Sequence, residues 1–221
     1  MTAVLQRYDP SLFQKLPSIE DAAGTFKAYG GIDKIEAAFA AIVKKHASAS
    51  HFGLQLLHRH SSLAKDEIML AHGHTTVPIK RADLSEAGLA NVFATVWGLR
   101  PDSDEFAPLE FAFVEDGATP IPSLDLDLAS DIAKIIKEHN LENTIGLAVI
   151  DHDLELGLET THGRANVIVP AALMAVSDRF TEVVWHLTAL GQPKQVKKRC
   201  RVICWMDDRG THHPNAHKYE G

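Results

Sequence analysis

Apolar residues recur at a helical period in three stretches of the chain. In "IDKIEAAFAAIVKKH" the positions Ile32, Ile35, Phe39, Ile42 and Val43 form one stripe, with Asp33 near the start and Lys44 and Lys45 at the end, charges that complement the helix dipole. A second stripe, Leu89, Val92, Phe93 and Val96, predicts a helix from about Ser85 to Trp97, stopping before Pro101. The third, in "LDLASDIAKIIKEHN", places Leu128, Ile132, Ile135, Ile136 and His139 together, and Asn140 serves as its C-terminal stop. A shorter helix spans Ile19 to Tyr29 and ends at Gly30-Gly31; another is expected after Pro170 in "AALMAVSDRF".

Elsewhere the pattern reads as strand, at 51–60, 67–74, 109–115, 144–151, 157–169 (with a break), 181–187 and 199–206. "TEVVWHL" and "CRVICWM" show the two-residue alternation, and Asp116-Gly117 is a hairpin turn signal. Helices and strands fall in blocks rather than strict βαβ alternation. The expected fold is therefore α+β: a largely antiparallel, barrel-like β-sheet flanked by three or more α-helices. We expect one domain over 1–221, with a short N-terminal segment (1–18) and a mobile C-terminal tail (208–221). No internal sequence repeat is expected.

Composition narrows the function classes. With 45% hydrophobic residues over 221 positions the chain can bury a full core, while a net charge of -7 argues against nucleic acid, whose phosphates need clustered Lys and Arg. No run of about 18 apolar residues exists to span a membrane. Two cysteines, Cys200 and Cys204, are too few for a disulfide scaffold, so a cytoplasmic protein of a reducing compartment is expected. No Gly-rich phosphate loop follows a strand, and no Gly-x-Ser-x-Gly elbow supports a serine hydrolase.

Candidate chemistry gathers in "HFGLQLLHRHSSLAKDEIMLAHGH", where His58 and His60, and His72 and His74, form two His-x-His pairs. Residues two apart share a strand face, so each pair lies on the same side as its strand's apolar residues. If these strands pair as a hairpin, His58, His60, His72 and His74 converge on one transition-metal ion: Fe, Cu or Zn, the metals that suit neutral imidazole. Gly53, His58-Arg59-His60, Glu67 and Gly73 resemble, at altered spacing, the first metal motif of the cupins, and His162 with Asn166 resembles the second. That resemblance implies His58, His60, Glu67 and His162 as ligands.

Beyond this, "VIDHDLELGLETTHGR" offers His152 and His162 beside carboxylates, an arrangement for general acid–base work. The sites expected from the sequence are thus a metal set of His58, His60, His72 and His74, and catalytic roles for His152, His162 and Glu67. His186 reads as a core histidine, Cys200 and Cys204 as structural thiols, and the terminal His212, His213 and His217 as a turn-rich tail. The leading expectation is a metal-dependent oxidoreductase acting on a small organic molecule, with a Zn-dependent hydrolase or lyase second. The alternatives are a small-ligand-binding domain lined by Trp97, Trp185 and Phe113, and a metal-free lyase or isomerase. A homodimer through the "TEVVWHL" edge is a further expectation.

Overall fold

The structure, a computed structural model, describes Leu5 and residues 7–150, 156–173, 180–190 and 200–205, with the backbone alone of Arg201 and Trp205. Expectations that fall on His152, the C-terminal histidines and the rest of the tail lie outside the described residues. Five helices are present among those described: α1 (Pro10–Gln14), α2 (Ile19–Tyr29), α3 (Gly31–Lys45), α4 (Glu86–Ala90) and α5 (Leu126–Glu138). Ten strands follow: β1 (Phe52–Leu56), β2 (Glu67–His72), β3 (Thr75–Lys80), β4 (Val92–Leu99), β5 (Phe106–Phe113), β6 (Ile145–Val149), β7 (Gly157–His162), β8 (Ala165–Pro170), β9 (Phe180–His186) and β10 (Cys200–Trp205). None of the helices is long and apolar enough to cross a membrane.

The long helices form where the apolar stripes predict them, and their ends have side-chain or glycine caps. Ser18 accepts the Asp21 N–H at the start of α2, and Gly30, at φ 117°, ends it in a left-handed turn that a Cβ would strain. Asp125 accepts the N–H groups of Asp127 and Leu128 at the start of α5. Asn140, at φ 55°, takes the left-handed conformation just beyond its end. Ile35, Phe39 and Ile42 of α3 and Leu128, Ile132 and Ile136 of α5 pack with Leu54, Leu56, Ile145 and Leu147 into the main core.

The strands close into a barrel in the order β1-β6-β4-β5-β2-β3-β8-β7-β10-β9, sealed by β9 against β1. β2 runs parallel to β5 and β7 parallel to β10. The sheet is therefore mixed, and the expectation of a largely antiparallel one is corrected. The predicted pairing of 51–60 with 67–74 is also overturned: β1 lies between β6 and β9, and β2 between β3 and β5. The helix expected over 85–97 stops at Ala90, and Val92–Leu99 is strand β4. After Pro170 the described chain makes only a 3-10 turn at Ala171–Leu173. Asp116-Gly117 joins no hairpin, since the chain runs from β5 through it to α5. Strand β9 is paired on both sides, so "TEVVWHL" presents no open sheet edge.

The topology contains a repeat that the sequence hides. β1 to β5 and β6 to β10 are laid out alike, each half opened by a long helix, α3 or α5. Leu54 pairs with Leu147 and Thr76 with Asn166 at two antiparallel joints, and Trp97–Leu147 is mirrored by Trp185–Leu54. Register shifts on both sides of Val96–Glu110 recur on both sides of Val184–Val202. With this guide "FGLQLL" (52–57) aligns with "IGLAVI" (145–150), 67–80 with 157–170, and Trp97-Gly98-Leu99 with Trp185-His186-Leu187. The expectation of no internal repeat is thereby corrected. Even Gly53 and Gly146 match: a Cβ at Gly146 would lie 2.2 Å from the Trp97 carbonyl oxygen, and one at Gly53 2.7 Å from that of Trp185.

Candidate metal centre

The register places Glu159 beside Cys204 across the parallel β7–β10 joint and Thr161 opposite Asn166 across β7–β8, all turned toward the barrel interior. Their neighbours Leu158 and Ile203 pack in a separate apolar cluster on the other face. Register shifts flank Val202; the half-buried Cys200 packs against both the main core and that cluster, while Cys204 is buried in the main core. The segment following β1 brings in His58 and His60, whose side chains are 0% and 4% exposed.

One ligand atom each from His58, His60, Glu159 and Cys204 lies within 4.8 Å of all the others, a group that could hold a metal ion. Glu159 Oε2 is 3.7 Å from His58 Nε2 and 3.3 Å from His60 Nε2. Bonds of about 2.0–2.3 Å in a tetrahedral site put neighbouring ligand atoms about 3.3–3.7 Å apart. Those two edges already have that length.

The atoms that would not bind metal are held. His58 Nδ1 lies 2.8 Å from the Leu56 carbonyl oxygen, which can only accept, so Nδ1 carries the proton and Nε2 the lone pair. His60 Nδ1 is 3.2 Å from the Thr161 hydroxyl. Asn166 Nδ2 donates to Glu159 Oε1, leaving Oε2 turned to the imidazoles. Metal-bound histidines characteristically donate their other ring N–H to a fixed oxygen, which sets ring orientation and raises basicity.

Electrostatics favour a neutral His58 and a charged Glu159 in this cluster. Burial, and then the neighbouring His60, lower His58 to about 4, so its ring is neutral at physiological pH and Nε2 offers its lone pair. Burial would also lower His60, but the charge of Glu159 outweighs it and raises the ring. Glu159 is held well below the ordinary carboxylate range: burial opposes this, and the two histidines with Asn166 overcome it. Glu110, reached from β5, is pushed up to about 7 by burial, with His60 opposing and Glu159 adding to the shift. A buried carboxylate facing the neutral His58 lone pair is costly unless a cation, a metal ion or a protonated His60, lies against it.

Of the residues expected from sequence, the structure brings together His58 and His60. His72 is at the surface, its Nε2 3.1 Å from Glu115 Oε1 with both side chains about two-thirds exposed, and His74 is exposed on the same β2–β3 turn. The cause is the strand order, which separates β1 from β2. His162 is exposed at the β7–β8 turn, its Nε2 3.4 Å from Thr160 Oγ1. Glu67 binds Arg164, not the histidines. The cupin-like ligand set is thus divided among three places. His186 Nδ1 accepts the Thr188 N–H as a buried turn cap, matching its expected core role.

No protein-family model, curated protein or solved structure matches this chain. From the sequence, Glu159 and Thr161 carry no expected site role, Cys204 is expected as a structural thiol, and Asn166 enters only beside His162 in the cupin-like motif. A readable signal existed in "GLETTH": a carboxylate at an inward, buried strand position needs a partner, and Thr161 shares its face.

Glu67 supports a test of the ion pair itself. Hydrogen bonds from Arg164, and then the Ala64 N–H, hold its carboxyl at about 2 against an ordinary 4.5. A lowered folded value adds stability that is complete above 4.5 and lost as pH falls toward 2. Glu67→Gln should therefore flatten the pH dependence of denaturant unfolding across that window. An unchanged slope would show that the pair does not persist in solution.

Proposed function

We propose that this chain is a metalloprotein holding one divalent transition-metal ion between His58, His60, Glu159 and Cys204, and that it carries out oxidoreductase-type chemistry on a small organic molecule. The observation that supports it is the anchoring of the three non-ligating atoms, His58 Nδ1, His60 Nδ1 and Glu159 Oε1, while Nε2, Nε2 and Oε2 converge.

Two imidazoles and a carboxylate are a donor set of non-haem iron(II), which supplies dioxygen activation when bound. A thiolate at Cys204 would give the set two negative charges, balancing a dication in a site with little access to water. The protein's part is to hold His58 neutral, to aim Glu159 Oε2 through Asn166, and to keep the donors dry inside the barrel. Zinc fits the same four atoms as a closed tetrahedral centre and would favour a structural or Lewis-acid role instead.

The test is elemental analysis of protein prepared without a histidine tag. About one equivalent of iron or zinc is expected, removable by a strong chelator and restored on reloading. Iron with loss of activity on chelation supports the oxidoreductase reading, and zinc supports the alternative role. Absence of bound metal, together with no tight binding of Fe(II), Zn(II) or Cu(II), would overturn the site.

A second reading rests on a cleft of about 470 Å³ between β4, β5 and α5, lined by Phe93, Trp97, Phe106 and Leu124 with Arg7 and Glu105 among its polar residues. Its size and apolar lining suit a small ligand. The three aromatics expected to share a pocket do not: Trp97 lines this cleft, Phe113 another beside β2, and Trp185 is buried with its Nε1–H on Glu182.

A further inference from the structure

We infer that Arg164 is a positioning residue for the metal centre, clamping the segment that carries the histidines onto the hairpin that carries Glu159. This deepens, and rests on, the metal-site reading above. Arg164 Nη2 lies 2.5 Å from Glu67 Oε2 and Nη1 3.1 Å from Oε1, while Nη2 also donates to the Ser62 carbonyl at 2.8 Å. Glu67 Oε2 takes the Ala64 N–H at 2.8 Å, so the carboxylate closes the 61–67 loop on itself as well.

Both ends of this clamp adjoin the donors. Ser62 is two residues beyond His60, and Arg164 lies between Thr161, whose hydroxyl meets His60, and Asn166, which orients Glu159. The loop's other side is tied down by Arg59, whose N–H donates to the Pro17 carbonyl and whose guanidinium donates to that of Gln14. Gly163, at φ 63°, makes the tight turn that presents Arg164 toward the loop.

The internal repeat is an independent control. At the positions aligned with Arg164 and Glu67 the halves carry His74 and Gly157, so no equivalent arginine–carboxylate fork can form. The positions aligned with Glu159, Thr161 and Asn166 are Met69, Ala71 and Thr76, and Ala112 answers to Cys204 through the matched β4–β5 and β9–β10 registers. Clamp and donor set occur together in one of two halves that share their strand order, while the parallel joints β2–β5 and β7–β10 differ in register, the second placing Glu159 beside Cys204.

Arg164 is half exposed, which screens its pair with the largely buried Glu67 and moderates what the pair adds to stability. Its fork and carbonyl bond fix geometry, and residues that orient metal ligands typically alter affinity about 10- to 100-fold. The experiment measures Zn(II) affinity and dissociation rate by chelator competition, beside the melting temperature of metal-free protein, for wild type, Arg164→Met, Arg164→Lys, Glu67→Gln and the Arg164→Met/Glu67→Gln double variant.

We expect Arg164→Met to weaken Zn(II) binding about 10- to 100-fold through faster release, more than any accompanying fall in the metal-free melting temperature accounts for. Arg164→Lys keeps the charge without the fork and should recover only part of the loss. The double variant should lose no more than the larger single loss. Wild-type affinity in Arg164→Met would overturn the clamp and leave the metal centre standing. A fall in metal-free melting temperature matched by no change in release rate would make Arg164 purely structural and overturn it too. Failure of wild type to bind Zn(II), Fe(II) or Cu(II) would instead overturn the metal centre on which the clamp rests.

Discussion

Glu159→Gln should cost the protein its metal while leaving the barrel folded. Glutamine keeps the size of the side chain and an oxygen for Asn166 Nδ2, but removes the charge facing His58 and His60. Removing one partner of a buried charge pair costs about 3–5 kcal/mol, because the remaining charge is left uncompensated. Applied to a bound dication, that is a loss of affinity of roughly 10²- to 10⁴-fold. His58→Ala should fall in the same range, since it removes a neutral, fixed nitrogen donor. His72→Ala should retain wild-type affinity, because that ring sits at the surface with Glu115. The measurement is chelator competition on tag-free protein. Full metal occupancy in Glu159→Gln would remove the carboxylate from the site.

Gly146→Ala should be the most damaging single-methyl change in the barrel. Its Cβ would meet the Trp97 carbonyl oxygen at 2.2 Å and Leu57 Cδ2 at 2.7 Å, and the first of these is backbone held in the β4–β6 ladder. Relief requires the strands to move apart, so we expect a loss of about 3 kcal/mol or more, the upper end of overpacking costs. At roughly 2–4 °C per kcal/mol for a chain this long, melting should fall by on the order of 10 °C. Gly53→Ala should follow closely, because the repeat presses it on the Trp185 carbonyl. Gly98→Ala meets Leu109 Cδ1 at 2.9 Å, a side-chain end that can rotate, and should cost less. Gly24→Ala, in α2 with nothing within 4 Å, should stabilise by about 0.5–1 kcal/mol. Equal melting temperatures for Gly146→Ala and Gly24→Ala would show that the strands do not approach this closely.

Legibility in the sequence followed the regularity of each element. Helices α2, α3 and α5 were readable because apolar stripes run unbroken between recognisable caps. β4 was misread because Leu89, Val92, Phe93 and Val96 fit a helical period; the register shifts beside Val96 break the strand's own alternation, and Asn91 separates the short α4 from it. His58 and His60 were found because a His-x-His pair beside apolar residues is conspicuous. Their partners were not, since Glu159 and Cys204 come from strands about a hundred residues or more away, and the joining register is a property of the closed sheet. The repeat escaped notice for a related reason. Only a few matches survive, such as Gly53 with Gly146, Gly73 with Gly163 and Trp97 with Trp185, and the link from β1 to β2 is longer than that from β6 to β7.

The closed order of the sheet bears on how the proposed centre would assemble. An ion met by His58 and His60 alone would be weakly held; tight capture would wait until β7 and β10 carry Glu159 and Cys204 to the segment after β1. Such an ion would act as a rivet between distant stretches of the chain.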